Sequence, residues 1–216
     1  MSIDTGSNIP SPEEVDKLSV EQRAAMAAAY LGGLEVGRQP LGLFTQLARL
    51  TVVSTVELVP LRSNPDTDTT EVLLLQRPNT DAWWPNQWHV PGTVILPTDT
   101  ITHDEEIDFA QSSFRPSDSY SSTISRLIKD ELNDTIYVPE TPHLLEARHR
   151  EGIRGHESTI MFWAGVEVVT TVIPSGKFFS MTEVIENPPE AGLVVGHADL
   201  VQRATDAYER FRATNV

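Results

Sequence analysis

Short runs of apolar residues, broken by turn residues, predict strands through much of the chain. Strand signals begin after Pro40, and the run from Leu50 to Leu61 is rich in Val and Thr. Ser63-Asn64-Pro65-Asp66 is typical of a turn. The predicted strands span about residues 50–61, 71–76, 143–150 and 157–169, with a loop at 151–155 and a last short strand starting at Phe178.

Apolar residues at helical spacing, together with start signals, predict helices. Ser11-Pro12-Glu13-Glu14 and Ser19-Val20-Glu21-Gln22 have the pattern of capping boxes, the first with proline at the first helical position. The predicted helices span about residues 12–18, 20–31, 119–133, 181–186 and 197–212. Strands with few helices between them predict an α/β (α+β) fold, in which helices cover a mixed sheet.

The chain divides into segments of different character. Residues 1–10 are predicted to be a flexible tail, 11–40 an N-terminal helical arm, and 41–216 the main domain. The arm is expected to pack on the core or on a second copy of the chain in a homodimer. The segment 99–122 holds six acids against one arginine and is rich in Ser and Thr, which predicts a solvated insertion whose residues 100–116 are mobile.

Composition restricts the function classes. The 216 residues carry a net charge of −15, which disfavours duplex nucleic acid as a partner but leaves a small phosphate ligand open if metal ions intervene. The chain has no cysteine, so disulfides and thiolate metal sites are excluded. No apolar run is long enough for a membrane span, and no signal peptide is evident, so we expect a cytoplasmic protein with no membrane partner.

Two short motifs carry a resemblance. Val90-Pro91-Gly92-Thr93 and the later segment Arg126–Glu131 resemble the signature of the Nudix superfamily. That signature is a glycine, five residues, a glutamate, seven residues, then Arg-Glu-aliphatic-x-Glu-Glu-x-Gly. The likeness covers about residues 48–212. It implies a Nudix-like α/β/α sandwich and Mg²⁺- or Mn²⁺-dependent hydrolysis of a nucleoside diphosphate linked to another group.

Several positions depart from that signature. Thr93 stands for the first glycine and Asn133 for the last, where asparagine tolerates the left-handed conformation of a helix end. The first glutamate has two candidates: Asp99 keeps the spacing from Thr93, and Asp118 keeps the spacing to the arginine. Leu127 replaces the glutamate after that arginine.

The departure at Leu127 bears on metal binding. Leu127, Asp130 and Glu131 lie within an arc of about 100° on one helix. We therefore place Leu127 between the core and the metal-binding face, from which it removes a carboxylate. Two carboxylates can still hold one ion weakly, because Mg²⁺ completes its shell with water and substrate oxygens.

The resemblance assigns candidate site residues. Metal ligands would be Asp130 and Glu131 together with Asp118 or Asp99, and Glu105 or Glu106 could replace the lost ligand. Arg126 would orient Glu131 or meet a phosphate; alternatively it is a surface arginine paired with Asp130. Glu157 is the candidate general base, and the alternative is an exposed strand residue.

Further candidates concern the ligand. Trp83, Trp84 and Trp88 fall within six residues, and Trp84 is the candidate for stacking on a base or sugar, although core packing is the alternative for each. Arg77 ends the segment that resembles the family's strand before the substrate loop. A basic cluster could receive a phosphate or consist of loop-surface charges; its members are His149, Arg150, Arg154 and His156.

Two functions remain open at this point. One is a hydrolase with a degenerate motif, acting on a small phosphorylated, nucleotide-type ligand. The other is a non-hydrolytic module that binds such a ligand or a protein partner. Leu127 and Thr93 favour the second function, whereas Arg126, Asp130 and Glu131 favour the first.

Overall fold

The computed structural model describes residues 11–32, 41–96, 99, 120–152, 155–170 and 172–214, and the chain divides into two compact units, residues 1–37 and 38–216. In the first unit, the Ser11 side chain caps α1 (Pro12–Asp16), and Glu14 completes the capping box. Helix α2 (Val20–Gly32) begins after Ser19, whose hydroxyl accepts from the Gln22 amide at 3.2 Å. Both predicted helices are confirmed.

The second unit starts with α3 (Leu41–Leu50), where we expected strand signals after Pro40. That expectation is wrong for this segment. Phe44, Leu47 and Ala48 recur at helical spacing and are half-buried or buried, and the helix contacts the sheet behind it.

A mixed sheet of seven strands forms the centre of the described part of this unit. Its strands are β1 (Val52–Ser63), β2 (Thr70–Gln76), β3 (Trp88–His89), β4 (Gly92–Val94), β6 (His143–Gly152), β7 (Gly155–Gly165) and β9 (Gly176–Ser180). Strand β1 runs parallel to β7 and antiparallel to β2 and β4, while β6 runs antiparallel to β7. Strands β5 (Ile136–Tyr137) and β8 (Glu167–Val168) pair separately. The predicted strand 157–169 is therefore two strands.

Helices cover both faces of the sheet. On one face, α4 (Ser121–Leu132) packs against Leu58 and Phe162. On the other, α5 (Met181–Ile185) and α6 (His197–Thr214) pack against Val59 and Trp163. Neighbouring residues of one strand supply opposite cores because side chains alternate across a sheet. The arrangement is the expected α/β/α sandwich.

Part of the predicted insertion lies outside the described residues, including Asp118 and the pair Glu105-Glu106. Its first residue, Asp99, and its last residues, 120–122, are described, and the Ser122 hydroxyl donates to the Asp99 carbonyl. None of the helices in the described ranges has the length and apolar character to cross a membrane.

Candidate functional site

Arg126 of α4 joins the helix to strand β4. Its guanidinium donates from Nε to Asp99 Oδ1 at 2.8 Å and from Nη2 to Asp99 Oδ2 at 2.7 Å. The same group contacts the Thr93 hydroxyl at 3.1 Å and the Val94 carbonyl at 2.6 Å. The motif arginine and the strand that starts at Gly92 therefore meet in space, despite the insertion between them.

Asp99 is enclosed by this contact. Its carboxylate accepts from Arg126 and from the Leu96 amide, and its side chain is 5% exposed. The Arg126 guanidinium is the main cause that holds the Asp99 pKa below its ordinary value, and the Leu96 amide adds to it. Arg126 is thus turned toward Asp99 and β4 and is not the surface arginine of the alternative interpretation.

Leu127 corrects our placement of the helix faces. It is fully buried, in a core with Ile124 and Leu132. It therefore belongs to the packing side of α4, not between the core and a metal-binding face. Helical spacing fixes the positions of Leu127, Asp130 and Glu131 relative to one another, but not which side of the arc meets the sheet.

The end of α4 carries the remaining motif carboxylates. Asp130 is exposed and Glu131 is half-buried. Asn133 then ends the helix in the left-handed conformation, with φ 49° and ψ 42°, and its amide donates to the Ile128 carbonyl. Asparagine here performs the conformational task of the family's glycine.

A second polar group lies on the α6 face of the sheet. Glu157 of β7 is 3% exposed, so it is not the exposed strand residue of the alternative interpretation. Arg150 of β6 lies opposite it and donates from Nη2 to Glu157 Oε2 at 3.4 Å. The same Nη2 lies 4.0 Å from Oε1 of Glu57 on β1. One half-exposed guanidinium therefore stands between two largely buried carboxylates.

His89 and His197 are both buried, and His197 adjoins Glu57. The Val90 amide donates to His197 Nδ1 at 3.0 Å, which leaves the neutral ring's proton on Nε2, 3.8 Å from Glu57 Oε1. The His89 and His197 rings are 6.4 Å apart. Burial lowers the pKa of His89 to about 4 and that of His197 to about 3, so both are neutral at physiological pH.

Strand β4 connects the two polar groups. Gly92 pairs with Glu57 across the sheet, and a Cβ atom at Gly92 would lie 3.1 Å from Glu57 Cγ. A larger residue here would press on that side chain, which would have to move by a few tenths of an ångström. The next residue, Thr93, contacts Arg126. The Gly92-Thr93 pair thus borders both the α4 contact and the buried carboxylates.

The tryptophan segment separates into two environments. Trp88 packs edge-on against Phe179 at 4.8 Å between centroids, which is the core alternative. Trp84 is half-buried, and the Arg77 guanidinium lies 5.2 Å from its ring centre. Asp81 holds this turn by accepting from Arg77 and from the Trp84 amide. Arg77 and Trp84 are therefore neighbours.

The predicted basic cluster is divided by the sheet. Arg150 shares a face with Glu157, whereas His149 and His156 stack on the other face. Its fourth member, Arg154, lies outside the described residues, as does the candidate ligand Asp118.

Sequence reasoning missed three members of this site: Glu57, His89 and His197. A signal for Glu57 was present, because it is the one charged residue within the apolar run Val52–Leu61. A charge in a strand that is otherwise buried needs partners and marks a candidate site. The two histidines carry no comparable signal, since they meet only through tertiary contact.

The donor set restricts metal binding. Within the described residues, no three His, Asp or Glu side chains come together as metal ligands. Asp130 and Glu131 offer two carboxylate groups at one helix end, and oxygen donors of this kind suit Mg²⁺ or Mn²⁺. The residues present thus fit a single ion that takes its other ligands from water and substrate.

Solved structures with the same architecture are known. The chain is similar to the NUDIX domain of Shewanella oneidensis NrtR, which was crystallised with ADP ribose, at 18% identity and a TM-score of 0.51, over 84% of this chain and 97% of that one. It is also similar to full Shewanella oneidensis NrtR, at 19% identity and a TM-score of 0.50, over 73% of this chain and 64% of that one. No family model and no curated protein matches the chain. The chain therefore has a Nudix-like fold.

Proposed function

We propose that the domain is a Nudix-type hydrolase of weak activity that cleaves a nucleoside diphosphate linked to another group. The observation that supports this proposal most is the position of strand β4. Gly92 lies against the side chain of Glu57, and Thr93 contacts the arginine that anchors α4. A ligand above strand β4 would have a helix end with carboxylates on one side and the buried Glu157 with Arg150 on the other.

Each group then has a separate task. Asp130 and Glu131 would hold the Mg²⁺ or Mn²⁺ ion, which when bound neutralises diphosphate charge and polarises the phosphorus–oxygen bonds. The Asp99–Arg126 ion pair fixes α4 relative to β4. Glu157 is proposed to accept the proton of the attacking water at a carboxylate oxygen.

Ligand contacts are proposed for three half-buried side chains. Arg150 has a side chain that is 35% exposed, so its guanidinium is within reach of a phosphate. Trp84 presents a ring for stacking on a base or sugar, and Arg77 beside it adds positive charge. These contacts suit a nucleotide-type ligand, and ADP ribose is the ligand crystallised with the similar NrtR domain.

The second candidate function is ligand binding without hydrolysis. It is favoured by Leu127, which is fully buried where the family's signature has a glutamate. The side chain at that position packs in the core, so the helix has one carboxylate fewer than the signature requires.

The experiment is a turnover and binding assay on the full chain with a panel of nucleoside diphosphate derivatives, ADP ribose included. With Mg²⁺ or Mn²⁺ present, the hydrolase proposal predicts nucleotide release that falls in Glu131→Gln and is kept in Glu140→Gln, a control at an exposed acid. Calorimetric binding of a panel member without release by the wild type would establish the second function. If the chain neither bound nor cleaved any member of the panel, both proposed functions would be rejected.

A further inference from the structure

Two histidines lie side by side on the outer face of the β6–β7 hairpin. The ring centroids of His149 and His156 are 5.7 Å apart, and the ring planes differ by 11°. In the hairpin, His149 is opposite Ser158 and His156 is opposite Glu151, so all four share the face turned away from Glu157. Both histidines are exposed to solvent.

The hairpin fixes the backbone positions from which these rings project. Strands β6 and β7 are ten and eleven residues long, and their pairing continues to Gly152 opposite Gly155. His149 and His156 are diagonal neighbours across this ladder, a relation that puts Cα atoms about 7–8 Å apart. Rotation about the side-chain bonds turns the two nearly parallel imidazoles so that one nitrogen of each points at a common ion, with metal–nitrogen bonds of about 2.0–2.1 Å.

From this geometry we propose that His149 and His156 chelate a divalent transition-metal ion of the Zn²⁺, Cu²⁺ and Ni²⁺ class. Imidazole nitrogen suits these ions, whereas Mg²⁺ prefers oxygen ligands. The net charge of −15 favours approach of any cation. Since no three potential ligands gather anywhere in the described residues, the protein supplies two donors here and water completes the shell.

This site is independent of the proposed hydrolase. Its donors are nitrogens on the hairpin, while the ion of the proposed reaction would be held by oxygens at the end of α4. The bound ion would join β6 to β7 near the turn between them. We therefore expect Zn²⁺ to raise the melting temperature of the full chain, because a ligand that binds only the folded state stabilises it.

Zinc titration of the full chain by calorimetry tests the proposal. His149→Ala and His156→Ala should each weaken Zn²⁺ binding by about 100-fold or more, because each leaves a single donor and loses the chelate. His143→Gln should keep wild-type affinity, since this third histidine of the hairpin stacks on Trp163. Circular dichroism should show that all variants are folded.

Two results would overturn the proposal. One is Zn²⁺ affinity in the double variant H149A/H156A that equals the wild-type value, because the ion would then bind elsewhere. The other is loss of Zn²⁺ binding in excess Mg²⁺, which would assign the ion to carboxylates. A melting temperature that rises with Zn²⁺ in the wild type and not in the double variant supports the site, whether or not the chain hydrolyses any nucleotide.

Discussion

Arg126 and Asp99 form an ion pair through two parallel hydrogen bonds, and this pair links the long connection after β4 to helix α4. Both bonds are short, at 2.8 and 2.7 Å, and the carboxylate is almost completely buried. Such a two-point contact fixes orientation as well as distance. It sets where the end of α4, with Asp130 and Glu131, stands relative to Gly92.

Asp99→Asn should therefore destabilise the fold by about 2–3 kcal/mol, since the Arg126 guanidinium loses its charged partner. Urea denaturation at pH 7 measures the change. The matched control is Asp68→Asn, which removes the partner of Arg212 at a side chain that is 83% exposed and should cost little. Equal costs for the two variants would contradict the role given to Asp99.

The Asp99–Arg126 ion pair also predicts that the folded protein loses stability in acid. The folded-state pKa of Asp99 lies below its ordinary value, chiefly because of Arg126. Its contribution is present above the unfolded-state pKa of about 3.9 and is lost as pH falls through the lower folded-state value. The difference in unfolding free energy between wild type and Asp99→Asn should shrink as pH falls below about 4. A difference that stays constant down to the folded-state pKa would contradict this.

Leu127 should behave as a core residue. Leu127→Ala should cost about 2–5 kcal/mol through the cavity it leaves. Leu127→Glu should lower the melting temperature at least as much, without a gain in Mn²⁺ affinity, because an unpaired charge enters the core. Lys129→Glu, at an exposed position of the same helix, is the control and should have a small effect. Tighter Mn²⁺ binding by a stable Leu127→Glu protein would show that our assignment of Leu127 to the core is wrong.

The lowered pKa values of the two buried histidines predict a second loss of stability, in mild acid. An unfolded histidine takes up a proton near pH 6.5, whereas His197 stays neutral to about pH 3 and His89 to about pH 4. Below about pH 6.5 the unfolded state binds more protons, so stability falls by about 1.4 kcal/mol per pH unit for each histidine. Urea midpoints between pH 7 and pH 5 measure this slope.

His197→Asn provides the comparison for that slope. The asparagine side chain has an oxygen that can accept the hydrogen bond that the Val90 amide now donates to His197 Nδ1. Unlike histidine, it does not titrate. We expect a shallower loss of stability from pH 7 to pH 5 in this variant. An unchanged slope would mean that protonation of His197 is not linked to unfolding.

Asn133 tests the end of α4. Its φ of 49° is a conformation that glycine adopts without cost. Asn133→Gly should leave the melting temperature unchanged or raise it, whereas Asn133→Ala should cost about 1 kcal/mol. A reversed order of the two variants in thermal unfolding would contradict the assigned helix end.

Much of the fold could be predicted because its signals are local. Helix α4 was predicted at about 119–133 and spans Ser121–Leu132. Helix α3 was missed because its short apolar repeat follows Pro40 directly and precedes a Val-rich run, which favoured a strand.

The site was less accessible to sequence reasoning, because burial depends on the direction in which an element packs. Glu157 is buried, although its neighbours His156 and Ser158 are polar and do not indicate it. The pairing of Arg126 with Asp99, 27 positions apart, likewise depends on the path of the chain between them.

We propose Glu157 as the general base of the hydrolysis, and a rate comparison between wild type and Glu157→Gln tests that role. Initial rates of Mg²⁺-dependent release would be measured for wild type and Glu157→Gln on the best substrate of the nucleoside diphosphate panel. If Glu157 is the general base, the rate should fall by about 10²–10⁴-fold with little change in substrate affinity, since loss of a general base affects turnover. A rate in folded Glu157→Gln equal to that of the wild type would contradict it.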